Sequence, residues 1–250
     1  MAVSCLIDVN FDFTTDSPRY WDNFWKDEIL GGGGYCDPDA KSKTLQKYHQ
    51  ILWSRELPCG KTMQLNIGSG KNYLTWNEFR FGSDSILASF RYKKYRKMLE
   101  EVATGLDGYK NFIESFIHKS YTIGGTIIFP KANSINRARG VNHHICDRWD
   151  LTLECIRRYY QNELSPLYET LKMNKSFFDF FVDFKGYVDF FFLQDLVNDD
   201  YTAVKFMIGD GDFSKKPLPQ SVEEYLLWID KQLEFLQKRN ERIENFIKRE

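Results

Sequence analysis

Towards its C-terminus the chain places Val222, Ile229, Leu236 and Ile243 seven residues apart, with Leu226, Leu233, Asn240 and Ile247 four residues behind them. Apolar side chains recurring at spacings of three and four share a stripe only on an α-helix, so the pattern predicts one helix over residues 221–248. Ser221 is suited to cap it, and Glu223 and Glu224 fall in the first turn, beside the positive end of the helix dipole. A helix with such a heptad seam has two uses. It can lie along its own domain, or it can pair with a second copy, where Asn240 would set the register. Packing within the chain is expected for the first half, with a homodimer through residues 222–247 as the alternative.

The remaining 220 or so positions must supply the core against which that helix rests. With 250 residues, 42% hydrophobic and 28% charged, the chain has the makeup of a soluble globular domain with a sizeable interior. The net charge of −1 gives no global pull towards polyanions or membranes, so any such site has to be local. No apolar run reaches membrane-spanning length. The five cysteines are odd in number, widely spaced and without a CxxC pair, which argues against a zinc ribbon or a thioredoxin-like motif. With no leader-like start, these features point to a cytoplasmic protein.

Local signals place the other elements. Ser42 heads a helix to Ser54, with Leu45, Tyr48 and Leu52 on one stripe and His49 beside it. Residues 63–67 and 73–81 alternate like two strands joined through Gly68-Ser-Gly70, and Gly82 to Ser85 reads as the cap of the next helix. That helix carries Arg91-Tyr-Lys-Lys-Tyr-Arg-Lys97, either a phosphate-contacting run or a solvated face. Lys110 to His118 is a short helix, Tyr121 to Phe129 a β-like run ended by Pro130, and Leu167 begins another helix after Ser165-Pro166. From Phe177 to Phe192, nine of 16 residues are Phe or Tyr, a buried core with Gly186 as the break between two helices. Val204 to Ile208 is read as a last strand, and Gly209 to Asp212 as a turn. The tetraglycine Gly31 to Gly34 lacks a following Gly-Lys-Ser/Thr and reads as a plain loop. The fold class expected is a mainly helical α+β single domain, 1–250. Its loop-rich, sheet-containing half covers 1–130 and its helical half 131–250.

Chemistry-bearing residues concentrate between Tyr121 and Tyr160, which holds five arginines, two histidines and three carboxylates. After the expected strand comes a polar loop with Asn136-Arg-Ala-Arg-Gly140. Two arginines beside a glycine offer bidentate donors and bare backbone to a phosphate or carboxylate. In a helix from Asp147, the carboxylates Asp147, Asp150 and Glu154 share a face, as would suit Mg²⁺, Mn²⁺ or an acid/base pair. The plain alternative is a ladder of salt bridges to Arg157 and Arg158. His143-His144-x-Cys146 lacks a fourth ligand for zinc, and adjacent histidines point apart on most backbones.

Several of these stretches together resemble an uncharacterised family of bacterial proteins, a domain of unknown function. They are Thr44-Leu-Gln-Lys-Tyr-His-Gln-Ile-Leu-Trp-Ser54, Tyr121 to Pro130, Asn136 to Gly140, Asp147 to Tyr160 and Asp183-Phe-Lys-Gly-Tyr-Val-Asp-Phe-Phe191. The resemblance implies a bacterial or phage origin and brings no activity. From the residues, two functions follow. In the first, Asn136, Arg137, Arg139, Gly140, His143, Arg148 and Arg158 bind a nucleotide or nucleic acid, with Asp147, Asp150 and Glu154 catalytic. In the second, a non-enzymatic interaction protein dimerises through the C-terminal helix and these charges only stabilise the fold. Arginines left unpaired in a pocket favour the first, and arginines paired to local carboxylates the second.

Overall fold

The computed structural model describes residues 7–17, 19–21, 37–68, 73–86, 93–104 and 109–249. The tetraglycine, Ser69 with Gly70, and Arg91 with Tyr92 lie outside them, as do the side chains of Lys93 to Arg96; Lys97 is exposed.

Four antiparallel strands form one small sheet in chain order: β1 (Asn66–Ile67), β2 (Leu74–Trp76), β3 (Phe79–Ser85) and β4 (Thr126–Pro130). The run expected as a single strand over 73–81 is folded into a hairpin, because Asn77 takes a positive φ of 50° and turns the chain. Gly82 to Ser85 does not cap a helix. It is the inner half of β3, paired with β4 from Gly82↔Phe129 to Ser85↔Thr126. The β-like run from Tyr121 is strand only from Thr126, and Ile123–Gly125 is a 3₁₀ turn. Its two glycines allow a close approach, since a Cβ on Gly124 would meet Asn240 Oδ1 at 2.4 Å and one on Gly125 would meet the Ser120 carbonyl at 1.8 Å.

The described helices before β4 are α1 (Pro38–Lys41), α2 (Lys43–Trp53), α3 (Lys93–Ala103) and α4 (Tyr109–Ser120). After it come α5 (Ile135–Val141), α6 (Trp149–Tyr160), α7 (Tyr168–Met173), α8 (Lys175–Phe178), α9 (Phe184–Phe190) and α10 (Val222–Ile247). The fold is the mainly helical α+β arrangement expected. Caps fall where the sequence puts them: Ser42 Oγ accepts from Leu45 N at 3.0 Å and Ser221 Oγ from Glu224 N at 3.1 Å. The aromatic stretch is divided at Val182, whose φ of 69° reverses the chain, and not at Gly186. Gly186 sits inside α9, where a Cβ would come within 2.1 Å of the Phe181 carbonyl. Val204 forms a single bridge to Val197 and no strand.

One core runs from Ile7 to Ile247 and takes side chains from both halves. Within it α10 is an internal strut. Ile229, Leu236, Asn240, Ile243 and Ile247 of the seam are buried within this chain, and Val222, Leu226 and Leu233 are partly buried. Asn240 Oδ1 accepts from Gly124 N at 2.7 Å and its amide donates to Thr122 Oγ1 at 2.9 Å. Beside it, the fully buried Arg239 donates to the carbonyls of Phe191, Gly124 and Thr126 at 3.0, 2.6 and 2.8 Å. Burial pushes its guanidinium pKa down to about 9. Among the described residues no helix is long and apolar enough to cross a membrane.

Candidate functional site

The segment 133–158 is ordered differently from its expected loop and helix. Ser134 Oγ accepts from Arg137 N at 3.2 Å and starts α5, so Asn136 to Gly140 lies on a helix. Cys146 and Asp147 both have positive φ, and α6 begins only at Trp149. Asp147 therefore lies outside the helix, and the three carboxylates share no face. Each has its own partner. Asp147 Oδ1 stands 3.2 Å from Arg139, Asp150 binds Arg148 through both oxygens at 3.0 and 2.5 Å, and Glu154 takes Arg157 and Arg158. Burial would raise the Glu154 pKa, but the bonds from Arg157 and Arg158 outweigh it and hold the carboxyl below its usual range. Among the described residues no group of three or more His, Cys, Asp or Glu side chains could hold a metal ion.

The arginines follow the same logic. Arg139 is completely buried. It donates to Asp84 Oδ2 at 2.6 Å, the Ser85 carbonyl at 2.9 Å, the Asp147 carbonyl at 2.8 Å and Thr152 Oγ1 at 3.2 Å, tying α5 to the end of β3 and the start of α6. Arg148 reaches the carbonyls of Ile208 and Pro217 at 2.7 and 2.8 Å, and Asp150 Oδ2 accepts from Met207 N at 2.9 Å. This buried pair fastens the segment 207–217 to the N-terminus of α6. Asn136 is bonded to the Ser83 carbonyl, and Gly140 has its nearest potential Cβ contact at 4.0 Å, on Asp147. Of the expected ligand-binding cations only Arg137 is exposed, and Arg158, partly exposed, lies over the ring of Phe213. His143 is exposed, with its ring 3.8 Å from that of His144, so these neighbours do not point apart. His144 Nδ1 donates to the Phe213 carbonyl at 2.7 Å.

A different group of residues has the geometry of a site. The segment 7–17, the end of α4 and the outer face of α10 enclose a cleft of about 880 Å³. Val9 and Leu236 give it apolar walls, and Asp12, His118, Thr122 and Glu241 bring polar groups. Asp12 is fixed by its own turn, Oδ1 accepting from Thr14 N and Oδ2 from Thr14 Oγ1, both at 2.9 Å. Its Oδ2 also binds His118 Nδ1. Thr14 Oγ1 lies 3.4 Å from the same ring nitrogen, and the Trp21 ring is tilted against the imidazole at 4.9 Å. An ionised carboxylate can only accept, so Nδ1 carries the proton in this pair. Nε2 is the nitrogen left for a ligand, on a side chain 44% exposed.

A second cleft, about 600 Å³, runs between Arg55 and α9, but its Arg55, Lys185 and Asp189 are committed. The Arg55 guanidinium stands 4.5 Å from each of the rings of Phe190, Phe192 and Phe246, and Asp189 accepts from Lys185, Tyr201 and Gln194. The buried His49 is equally occupied. Trp53 Nε1 donates to its Nδ1 at 2.9 Å and its Nε2 meets Ser83 Oγ at 3.0 Å.

Residues 7–243, which include both the Asp12–His118 pair and the buried arginines, match the model of a family of unknown function, DUF6994. The chain belongs to that family. No curated protein and no solved structure matches it. DUF6994 carries no assigned activity, so a functional reading rests on the geometry of this member. The charged segment 136–158 is visible in the sequence, whereas Asp12 and His118 are 106 residues apart and neither stands in a motif. Only the position of His118 at the end of a predicted helix hinted at its placement.

Proposed function

We propose that this DUF6994 protein binds a small organic molecule in the cleft between residues 7–17, α4 and α10. The observation that carries the reading is the cleft itself. Its size falls in the range of small-molecule sites, about 300–1,000 Å³, and it joins apolar walls to a few convergent polar groups. Glu234 and Glu244 are offset by Lys238 and Lys248, which leaves Asp12, beside His118, and Glu241 against Lys119 in the walls, a balance that favours an uncharged or cationic ligand over an anion.

A nucleotide or nucleic acid at 136–158 has less support. Arg139 and Arg148 would have to leave buried carboxylates, which costs several kcal/mol per uncompensated charge. Pairing of these arginines to local carboxylates instead supports a structural role for that segment.

A fragment library screened by NMR on protein labelled at histidine and leucine tests the reading. Hits should move the signals of His118 and Leu236 together. Hits confined to the Arg55 cleft or to residues 136–158, or no hits at all, would overturn it.

A further inference from the structure

We propose that His118, oriented by Asp12, is a general base, so that the cleft is the active site of an enzyme acting on a small molecule with an ionisable O–H or N–H. This rests on the ligand reading above and adds a reaction to it. The arrangement has three parts that a proton-transfer residue needs. First, Asp12 is held in place before it touches the histidine, by two bonds from Thr14 to its carboxylate and by Thr15 Oγ1 on its carbonyl at 2.6 Å. Second, the carboxylate fixes the proton on Nδ1, which leaves the Nε2 lone pair for substrate. Third, His118 borders the cleft and is open enough to be reached.

The other histidines lack one part or another. His49 has both nitrogens engaged inside the core. His144 is oriented by a backbone carbonyl and stands outside the cleft. His143 is exposed and has no carboxylate partner among the described residues, which makes it an internal control.

In the proposed step the proton leaves a ligand O–H or N–H for Nε2, and its electron pair stays on the ligand atom. The imidazolium so formed lies against the Asp12 carboxylate, which offsets its charge. Its Nε2 proton is returned to product or to water at the end of turnover. No oxidant or reductant is involved. General-base assistance of this kind contributes about 10²–10⁴-fold to a rate.

The test uses diethyl pyrocarbonate on the full-length protein, with the rate at each histidine followed by peptide mass mapping. His118 should react about tenfold or more faster than His143, because its lone pair is fixed on the accessible nitrogen. In Asp12→Asn the side-chain amide can donate to Nδ1 and push the proton onto Nε2, so the His118 rate should fall at least about tenfold. Equal rates at His118 and His143, or an unchanged rate in Asp12→Asn, would overturn the proposal. Should that variant fail to fold, long-range ¹⁵N–¹H spectra of the unaltered protein decide the matter, since a neutral His118 protonated on Nε2 excludes the base. The two proposals fail separately. Fragments that bind the cleft beside an unreactive His118 would remove the enzyme and keep the ligand site. A reactive His118 in a cleft that takes no fragment would remove the ligand site and the enzyme resting on it.

Discussion

Arg139 Nη1 lies 2.6 Å from Asp84 Oδ2, across 55 residues of sequence, with the arginine wholly out of solvent. The same nitrogen stands 3.2 Å from Asp147 Oδ1. One guanidinium thus compensates two carboxylates that are themselves mostly covered, and it joins the sheet to the helical half.

Arg139→Ala is therefore expected to damage the fold. Removing one member of a buried pair costs about 3–5 kcal/mol, since the remaining charge is left without compensation. For a chain of this size, about 2–4 °C of melting temperature per kcal/mol gives a fall of about 6–20 °C. Thermal denaturation followed by circular dichroism measures it. A variant melting within about 2 °C of wild type would mean that Arg139 is available for a ligand after all.

Asn240 separates the two uses of the C-terminal helix. In a coiled-coil dimer a seam asparagine sets register at a cost in stability, so Asn240→Leu would stabilise and change the oligomer. Inside this fold the same change strands the Gly124 N–H and the Thr122 hydroxyl, and a bulkier methyl replaces the oxygen that lies against the 123–125 turn. A loss of at least about 1–3 kcal/mol is expected in urea unfolding, with no change in mass by light scattering.

What the sequence made legible was local. Ser42 and Ser221 announce helix starts because a cap and the N–H that donates to it lie within three residues, and the period of α10 shows through its whole length. Gly186 was misread because a glycine marks either a break or a close approach. The Phe181 carbonyl that demands its missing side chain becomes visible only when α9 is built. The charged segment 136–158 was legible as composition but not as role. Whether Arg139 faces solvent depends on Asp84, a strand residue far away in sequence. The Asp12–His118 pair has the same character, and one-dimensional spacing holds no trace of it.

Val182 offers a prediction of opposite sign. Its φ of 69° and ψ of −54°, closed by Asp183 N donating to the Phe181 carbonyl at 2.8 Å, form a γ-turn of the strained hand. A β-branched residue is costly there, by about 1–3 kcal/mol, and at 63% exposed this valine recovers little by burial. Val182→Gly should raise stability by about 1 kcal/mol once the greater freedom of glycine in the unfolded chain is deducted. A lowered midpoint of unfolding would show that the turn is not strained.

His49 gives the fold a pH dependence whose sign can be worked out. Burial, with the nearby charge of Arg239 adding to it, lowers its pKa from 6.5 to about 3, so the folded ring stays neutral between the Trp53 indole and Ser83. The unfolded chain takes up a proton at this residue as pH falls through 6.5, and the folded chain does not until about 3. Within that window the unfolded state binds more protons, and stability must fall with pH. Its full contribution is present above 6.5. Between pH 5.5 and 4.5 one histidine differing this way contributes a slope of about 1.4 kcal/mol per pH unit. Carboxylates titrate nearby, so the comparison is between wild type and His49→Gln, unfolded in urea at pH 7.5, 6.5, about 5.5 and about 4.5. Glutamine will be the less stable protein at neutral pH, and the gap between the two curves should narrow by roughly that slope on acidification. Parallel curves would mean that His49 titrates alike in both states, and that the Trp53–His49–Ser83 chain is open to water.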